Sequence, residues 1–392
     1  MNSHIMPTYA RQPISFVRGE GSYLYTKDGT AYLDALTGIA VCGLGHCHPT
    51  ITHAITEQAS SLVHTSNLFG IDWQEKAATV LCQAAGMEQV FFANSGAEAN
   101  ECALKIARLY AHHQGKARPK VIVMENSFHG RTLLTVSATA NPKARAGFYT
   151  LDDEFVRVPF ADADAVAALS GDQDICAVLV EPIQGEGGLH TPPDDYLEKL
   201  SKICNANDWL LMLDEVQTGN GRTGKYFAYQ YSNITPNVLT TAKGLGNGFP
   251  IGACMVSKKA VGLFGIGSHG STYGGTPLGS RVVCAVYHVL DDAIMQNARQ
   301  RGDAIRANII DKFGAYGVTA RGRGMMIGFA MPKEIDLTDI VNIALHKHHL
   351  IINVTGGNVI RLLPALNLSE KDTALLIDKM TNLLDGLFHS LH

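Results

Sequence analysis

Two polar residues, each at the end of a short apolar or small-residue run, have side chains suited to one ligand. Asp214 follows the run at residues 210–213, and Lys243 follows residues 240–242 about thirty positions later. A lysine amine condenses with an aldehyde only after it loses its proton, which desolvation favours. An aspartate can keep a pyridine nitrogen protonated, so that the ring withdraws electrons from a substrate carbanion. Taken singly, each is more simply a helix cap or a surface lysine; together they predict a cofactor site.

The segment at residues 94–100 offers hydrogen-bond donors for a phosphate, because a predicted strand turns there into a helix. Backbone N–H groups at a helix N-terminus point toward an anion, and Gly96, between Ser95 and Ala97, allows close approach. An ordinary cap, with Ser95 as the N-cap and Glu98 as its capping-box partner, explains the same residues equally well.

Phe128 and Arg131 follow another predicted strand end and would reach the same edge of a sheet. Phe128 could cover one face of a flat ring and Val216 the other, while Arg131 could bind a carboxylate through two hydrogen bonds. The alternative for a phenylalanine in this position is plain core packing.

Arg361 lies inside the apolar run at residues 359–364, where a charged side chain is unfavourable unless it is paired. It is therefore either half of a structural ion pair or a binding group for a substrate carboxylate. Glu181, at the end of its own strand, is the expected partner of Arg361 in both cases.

Two other patterns carry less weight. Residues 219–224 match G-x-G-x-x-G, but residues 214–217 separate them from their strand. Together with Lys225 they nearly match a P-loop, but Tyr226 stands where a P-loop needs Ser or Thr, so we interpret this stretch as a turn. His46, Cys47 and His48 have no second ligand cluster at a suitable spacing, and no metal site is predicted.

These residues must be positioned by a parallel sheet. Apolar runs at residues 90–93, 121–124, 177–180 and 210–213 alternate with helical patterns at 97–113 and 194–207. Polar residues follow each run at once, as at the carboxyl ends of strands in open α/β folds. A helical pattern at 278–313, strands at 325–330, 351–354 and 359–363, and a final capped helix predict a smaller second domain.

Composition narrows the class of protein. With 392 residues, 46% hydrophobic and 17% charged, the chain suits a compact two-domain globule. The net charge of -4, without a dense basic block, argues against nucleic acid as a partner. The eight cysteines form no C-x-x-C pair, which indicates reduced thiols, and no run suits a signal or a membrane span. We therefore expect a soluble cytoplasmic protein.

Taken jointly, these segments resemble the class III (ornithine-type) aminotransferases of the fold-type I pyridoxal-phosphate enzymes. The resemblance spans nearly the whole chain and is carried by residues 38–41, 44–49, 95–101, 128–132, 181–188, 214–217, 243–248, 267–275 and 360–362. It implies an α/β fold: a large domain with a mostly parallel seven-stranded sheet and a smaller α+β domain. It further implies an N-terminal segment at 1–49 packing with the small domain, a cofactor-binding domain at 50–285 and a small domain at 286–392.

The resemblance also implies residue roles. Lys243 would bind the cofactor covalently and shuttle a proton, Asp214 would pair with the pyridine nitrogen, and Gln217 would meet the ring's phenolic oxygen. The implied contacts to pyridoxal 5'-phosphate are Ser95, Gly96, Ala97, Phe128, Asp214, Val216, Gln217, Lys243 and, from the other subunit of a homodimer, Thr272. The implied substrate contacts are Arg131, Ser271, Arg361 and Glu181, the last neutralising Arg361 when the amine substrate is bound.

The likeness is greatest to bacterial members that transfer the δ-amino group of N2-acetylornithine to 2-oxoglutarate, within arginine biosynthesis. The products would be N-acetylglutamate 5-semialdehyde and glutamate. Succinyl-diaminopimelate, succinylornithine, free ornithine and 4-aminobutyrate are alternative amines. A pyridoxal-phosphate-dependent aminomutase, needing no oxo-acid acceptor, and a non-catalytic scaffold are the competing classes.

Overall fold

The computed structural model describes residues 4–389, which contain fifteen strands in three sheets. The strands, numbered in chain order, are β1 Arg18–Glu20, β2 Tyr23–Tyr25, β3 Ala31–Asp34, β4 Gln89–Ala93, β5 Lys120–Met124, β6 Phe155–Val158, β7 Ile175–Val180, β8 Leu210–Asp214, β9 Val238–Thr241, β10 Gly252–Val256, β11 Thr319–Arg323, β12 Met326–Ala330, β13 Leu350–Ile351, β14 Asn353–Thr355 and β15 Val359–Leu362.

The central sheet has seven strands in the order β4-β10-β9-β8-β7-β5-β6. Every pairing among β9, β8, β7, β5 and β6 is parallel, and only β10 runs antiparallel to its two neighbours. Every residue of β7 to β10 is buried, as expected for a sheet covered by helices on both faces. The predicted mostly parallel α/β sheet is therefore confirmed.

Helices of eight or more residues cover the sheets and form the C-terminal part. They are Pro49–Ser61, Asp72–Ala85, Gly96–His113, Tyr196–Ala206, Pro277–Val289, Asp292–Phe313, Ile340–His348 and Glu370–His389. The shorter α-helical segments are Leu133–Ala138, Pro142–Arg145 and Ala163–Ala167, while Thr37–Ala40 is a short turn whose residues all have positive φ values. Within residues 4–389, no helix combines the length and apolar character needed to cross a membrane.

Two sequence predictions about the C-terminal part were wrong in detail. The pattern at 278–313 is two helices, because the first ends at Val289 and the Asp291 carboxylate caps the second by accepting from Ile294 N. The single strand predicted at 351–354 is β13 and β14, which belong to different sheets.

The N-terminal strands share a sheet with the C-terminal part of the chain, because β13 pairs in parallel with β3. The other small sheet, β11-β12-β15-β14, holds Arg361 on its inner strand β15. The domain boundaries at 49/50 and 285/286 stay a prediction. The final helix begins after Ser369, whose hydroxyl accepts from Asp372 N, and its side chains Leu376, Met380, Leu383 and Leu384 pack in the core.

Candidate active site

A cavity of about 440 Å³ lies at the carboxyl ends of the parallel strands. Most of the predicted site residues line it: Ser95, Gly96, Ala97, Phe128, Arg131, Glu181, Asp214, Val216, Gln217 and Lys243. Glu186, which the sequence reasoning did not single out, lines it as well. The ends of five strands, β4, β5, β7, β8 and β9, and the loops after them thus place their side chains around one cavity.

Lys243 follows β9 and begins a short 3-10 turn, Lys243–Leu245. Its backbone is left-handed, with φ of +47°, a strained conformation for a residue with a side chain. Burial lowers the pKa of Lys243, against the attraction of Glu186, and Arg361 lowers it further. The amine is therefore easier to deprotonate than an ordinary lysine amine.

Asp214, at the end of β8, is held by three donors. Its Oδ2 accepts from the Asn100 amide at 2.7 Å and lies 2.8 Å from His129 Nδ1, while its Oδ1 accepts from Val216 N at 3.0 Å. Thr240 Oγ1 donates to Asn100 Oδ1 at 2.7 Å and so orients the amide. The carboxylate therefore has a fixed direction in the cavity wall.

Asn100 and His129 were missed as functional residues by the sequence reasoning, although both lie in segments that it singled out. Their exposed fractions are 1% and 2%. A buried polar residue on the apolar face of a helix, as Asn100 is, needs a partner, and that requirement is the signal that could have found it. His129 Nε2 has no hydrogen-bond partner among the described residues.

The start of the helix Gly96–His113 has the predicted N-cap but not the predicted capping box. Ser95 Oγ accepts from Glu98 N at 3.2 Å, so the N-cap exists, while the Glu98 carboxylate accepts from Asn94 N rather than from Ser95 N. A Cβ added to Gly96 would lie 2.7 Å from Cγ1 of Val216. Only glycine lets this turn, with its free N–H groups, approach the cavity so closely.

Phe128 and Arg131 line the same cavity. Phe128 N donates to Glu181 Oε2 at 3.2 Å, and this hydrogen bond connects the backbone of Phe128 to the end of β7. The Arg131 guanidinium lies 5.6 Å from the centre of the Phe128 ring, within cation–π range, and Arg131 is exposed. It therefore stays available to a carboxylate.

Arg361 is fully buried, and its ion-pair partner is Glu186, not Glu181 as predicted. Its Nη1 lies 2.6 Å from Glu186 Oε1 and 3.3 Å from Gln217 Oε1, and its Nε donates to Asn353 Oδ1 at 3.0 Å. Its Nη2 has no partner among the described residues. Burial acts to raise the pKa of Glu186, but the charge and hydrogen bond of Arg361 prevail and lower it.

Glu181 does not reach Arg361 because its two oxygens are turned toward backbone N–H groups. Oε2 accepts from Phe128 N, and Oε1 accepts from Gly185 N at 3.1 Å. The loop after β7 instead carries Glu186 to the guanidinium. Burial raises the pKa of Glu181 to about 7, while nearby His129 opposes that shift.

Ser271 and Thr272 are not among the residues that line this cavity. Ser271 Oγ accepts from the Asn94 amide at 3.2 Å and from Gly274 N at 2.9 Å, and Thr272 is exposed. Their roles stay predictions, and the one for Thr272 involves a second subunit.

Comparison with known proteins gives the family. The model of the aminotransferase class-III family matches residues 5–384. The chain belongs to the class-III aminotransferases. This aminotransferase is 47% identical to the acetylornithine aminotransferase of Nitrosomonas europaea over 99% of both chains. It is 43% identical to acetylornithine aminotransferase 1 of Bordetella pertussis over 95% of both chains.

Solved structures agree with this assignment. The ornithine aminotransferase of Toxoplasma gondii superposes with a TM-score of 0.95 at 30% identity, covering 99% of this aminotransferase and 94% of that chain. A second structure of that enzyme has partial occupancy of PLP at its active site. The N-acetylornithine aminotransferase of Stenotrophomonas maltophilia superposes with a TM-score of 0.85 at 32% identity, covering 97% and 98%.

Proposed function

We propose that this aminotransferase uses pyridoxal 5'-phosphate to move the δ-amino group of N2-acetylornithine to 2-oxoglutarate. The products are N-acetylglutamate 5-semialdehyde and glutamate, in arginine biosynthesis. The observation that carries the proposal is the buried Arg361. Its Nη2 has no partner among residues 4–389, and its Nη1 pairs with Glu186, which lines the same cavity as Lys243. The names of the relatives with 42–47% identity support the choice of amine.

The residues present fit the cofactor. The 440 Å³ cavity offers a fixed carboxylate in Asp214 for the pyridine nitrogen and the N–H groups at Gly96 for the phosphate. Phe128 and Val216 would cover the two faces of the ring, and Gln217 would meet its phenolic oxygen. Bound pyridoxal phosphate supplies an aldehyde that takes up the amino group and a ring that withdraws electrons from the substrate carbon.

The protein's own groups then bind, orient and move protons. Lys243 Nζ, whose pKa is lowered by burial, would carry a proton to and from the substrate carbon. Asp214, oriented by Asn100 and His129, would keep the proton on the pyridine nitrogen.

Arg361 and Arg131 would allow one site to bind both substrates in turn. Arg361 would bind the α-carboxylate of glutamate after Glu186 moves aside, and Arg131 would bind the distal carboxylate. The δ-amine of acetylornithine brings no carboxylate to that end, so Glu186 would stay on Arg361 while Arg131 held the substrate's own carboxylate.

A homodimer with a shared site is part of the proposal, because Thr272 would contact the phosphate bound by the other subunit. An exposed apolar patch supports it: Leu68, Phe69 and Tyr273 are 87%, 68% and 65% exposed. Asn67 joins the two segments of this patch by donating to Ser271 O and Gly274 O. The eight cysteines are free thiols, which suits a reducing cytoplasm.

Steady-state assays with 2-oxoglutarate and five amines test the substrate: acetylornithine, succinylornithine, succinyl-diaminopimelate, free ornithine and 4-aminobutyrate. We expect acetylornithine to have the highest kcat/KM and Lys243→Ala to abolish turnover. Free ornithine is the second candidate, because the fold superposes so closely on the T. gondii enzyme. A hundredfold preference for another amine, about 2.7 kcal/mol of transition-state free energy, would overturn the assignment. Reaction without an oxo acid would indicate an aminomutase.

A further inference from the structure

The segment after β3 forms a left-handed turn beside the cavity. Thr37, Gly38, Ile39 and Ala40 have φ values of +50°, +67°, +65° and +63°. For residues with a side chain this conformation costs about 1–2 kcal/mol each. Such strain persists only where neighbouring groups hold the backbone in place, and it is concentrated at functional sites.

Asp34 is the residue that holds the turn. It is 1% exposed, and its Oδ1 accepts from Leu36 N at 2.9 Å and Thr37 N at 2.8 Å. Its Oδ2 lies 2.8 Å from His46 Nε2. The hydrogen bond to Asp34 is the largest of the effects that raise the pKa of His46 to about 10, which favours the protonated imidazole.

The turn lies between the two ends of the active site. On one side, Thr37 Oγ1 donates to Leu363 O at 2.7 Å, two residues beyond Arg361. On the other side, a Cβ on Gly244, the neighbour of Lys243, would lie 3.8 Å from Ala40 O. Val41, the next residue, lines the cavity itself.

The segment after the turn is tied to the loop that follows Lys243. Asn247 Oδ1 accepts from Leu44 N at 2.8 Å, and its amide donates to Gly45 O at 3.1 Å. Residues 34–46 therefore connect the strand of Arg361 with the loop of Lys243 through one continuous set of hydrogen bonds.

We propose that Asp34, paired with His46, is a positioning residue for substrate, because it holds the left-handed turn that leads directly to Val41 in the wall of the cavity. This inference rests on the proposed function. Asp34 forms no hydrogen bond with any residue assigned to the cofactor. Its loss should therefore weaken substrate binding more than cofactor binding.

Three variants test the proposal in the holoenzyme. Asp34→Ala removes all three contacts, Asp34→Asn keeps an acceptor for the turn, and His46→Asn removes the ionic partner. Asp28→Asn is the matched control, because Asp28 is an exposed aspartate with only local bonds to Thr26 and Thr30. The measurements are KM and kcat for both substrates, the dissociation constant of the unreactive dicarboxylate glutarate, the cofactor's visible absorption and the unfolding temperature.

We expect Asp34→Ala to raise both KM values and the glutarate dissociation constant by about tenfold or more, with kcat reduced less than threefold. Asp34→Asn should restore part of the loss, and Asp28→Asn should match the unmodified protein.

A purely structural role would lower the unfolding temperature while KM and glutarate binding stayed within twofold, and that result would overturn the inference. If Asp34→Ala fails to fold, Asp34→Asn and His46→Asn carry the same test. If the unmodified protein turns over none of the five amines, the proposed function fails instead.

Discussion

Glu186→Gln isolates the switch between the two substrates. The substitution keeps the shape of the side chain but removes the charge that faces Arg361 at 2.6 Å, where the guanidinium is 0% and the carboxylate 37% exposed. In the free enzyme the arginine then keeps only neutral partners, Asn353 and Gln217. Glutamate no longer has to displace a carboxylate from this arginine, whereas acetylornithine never displaces one.

The expected change in the ratio of kcat/KM values follows from the contact between Glu186 and Arg361. A hydrogen bond to a charged group contributes about 1.5–3 kcal/mol, and the partial exposure of Glu186 favours the lower part, about 2 kcal/mol. At about 1.4 kcal/mol per factor of ten, the ratio of kcat/KM for glutamate to that for acetylornithine should rise about thirtyfold.

Single-turnover half-reactions, followed through the visible absorption of the bound cofactor, measure each substrate separately. Glu370→Gln is the control, because it neutralises a surface pair in which Glu370 lies 3.6 Å from Arg301 and is 85% exposed. An unchanged ratio, or equal losses in both half-reactions, would show that Glu186 does not compete with the substrate carboxylate.

Two further substitutions test the cofactor turn and the buried carboxylate. Gly96→Ala places a Cβ 2.7 Å from Cγ1 of Val216. The free energy of cofactor binding should become less favourable by about 1–3 kcal/mol, so a dialysis titration should show binding weakened about tenfold or more. Gly70→Ala, where a Cβ meets nothing within 4 Å, should bind as before. Burial raises the pKa of Glu181 from 4.5 to about 7, so the folded state binds more protons than the unfolded state between those values. The free energy of unfolding should therefore fall as pH rises through that window, and Glu181→Gln should remove this part of the slope in denaturant titrations; an identical slope in both proteins would contradict it.

The sequence alone determined four strands of the central sheet, β4, β5, β7 and β8, and most of the residues that line the cavity, because these depend on local signals. Each of the four apolar runs is short, and each is followed at once by the polar residue that its strand end presents. In a parallel sheet those ends meet at one edge, so Asp214 and Lys243 could be placed at one cavity without coordinates.

Only the tertiary structure decided which carboxylate faces Arg361. Glu181 and Glu186 lie five residues apart, and either carboxylate could pair with an arginine. Glu181 accepts hydrogen bonds from the backbone N–H groups of Phe128 and Gly185, so Glu186 is the carboxylate that pairs with Arg361. The contacts of Asp214 with Asn100 and His129, and of Thr37 in the left-handed turn with Leu363, also join residues distant in sequence. A residue pattern shows which side chain needs a partner, but the choice among several depends on how loops distant in sequence fold together.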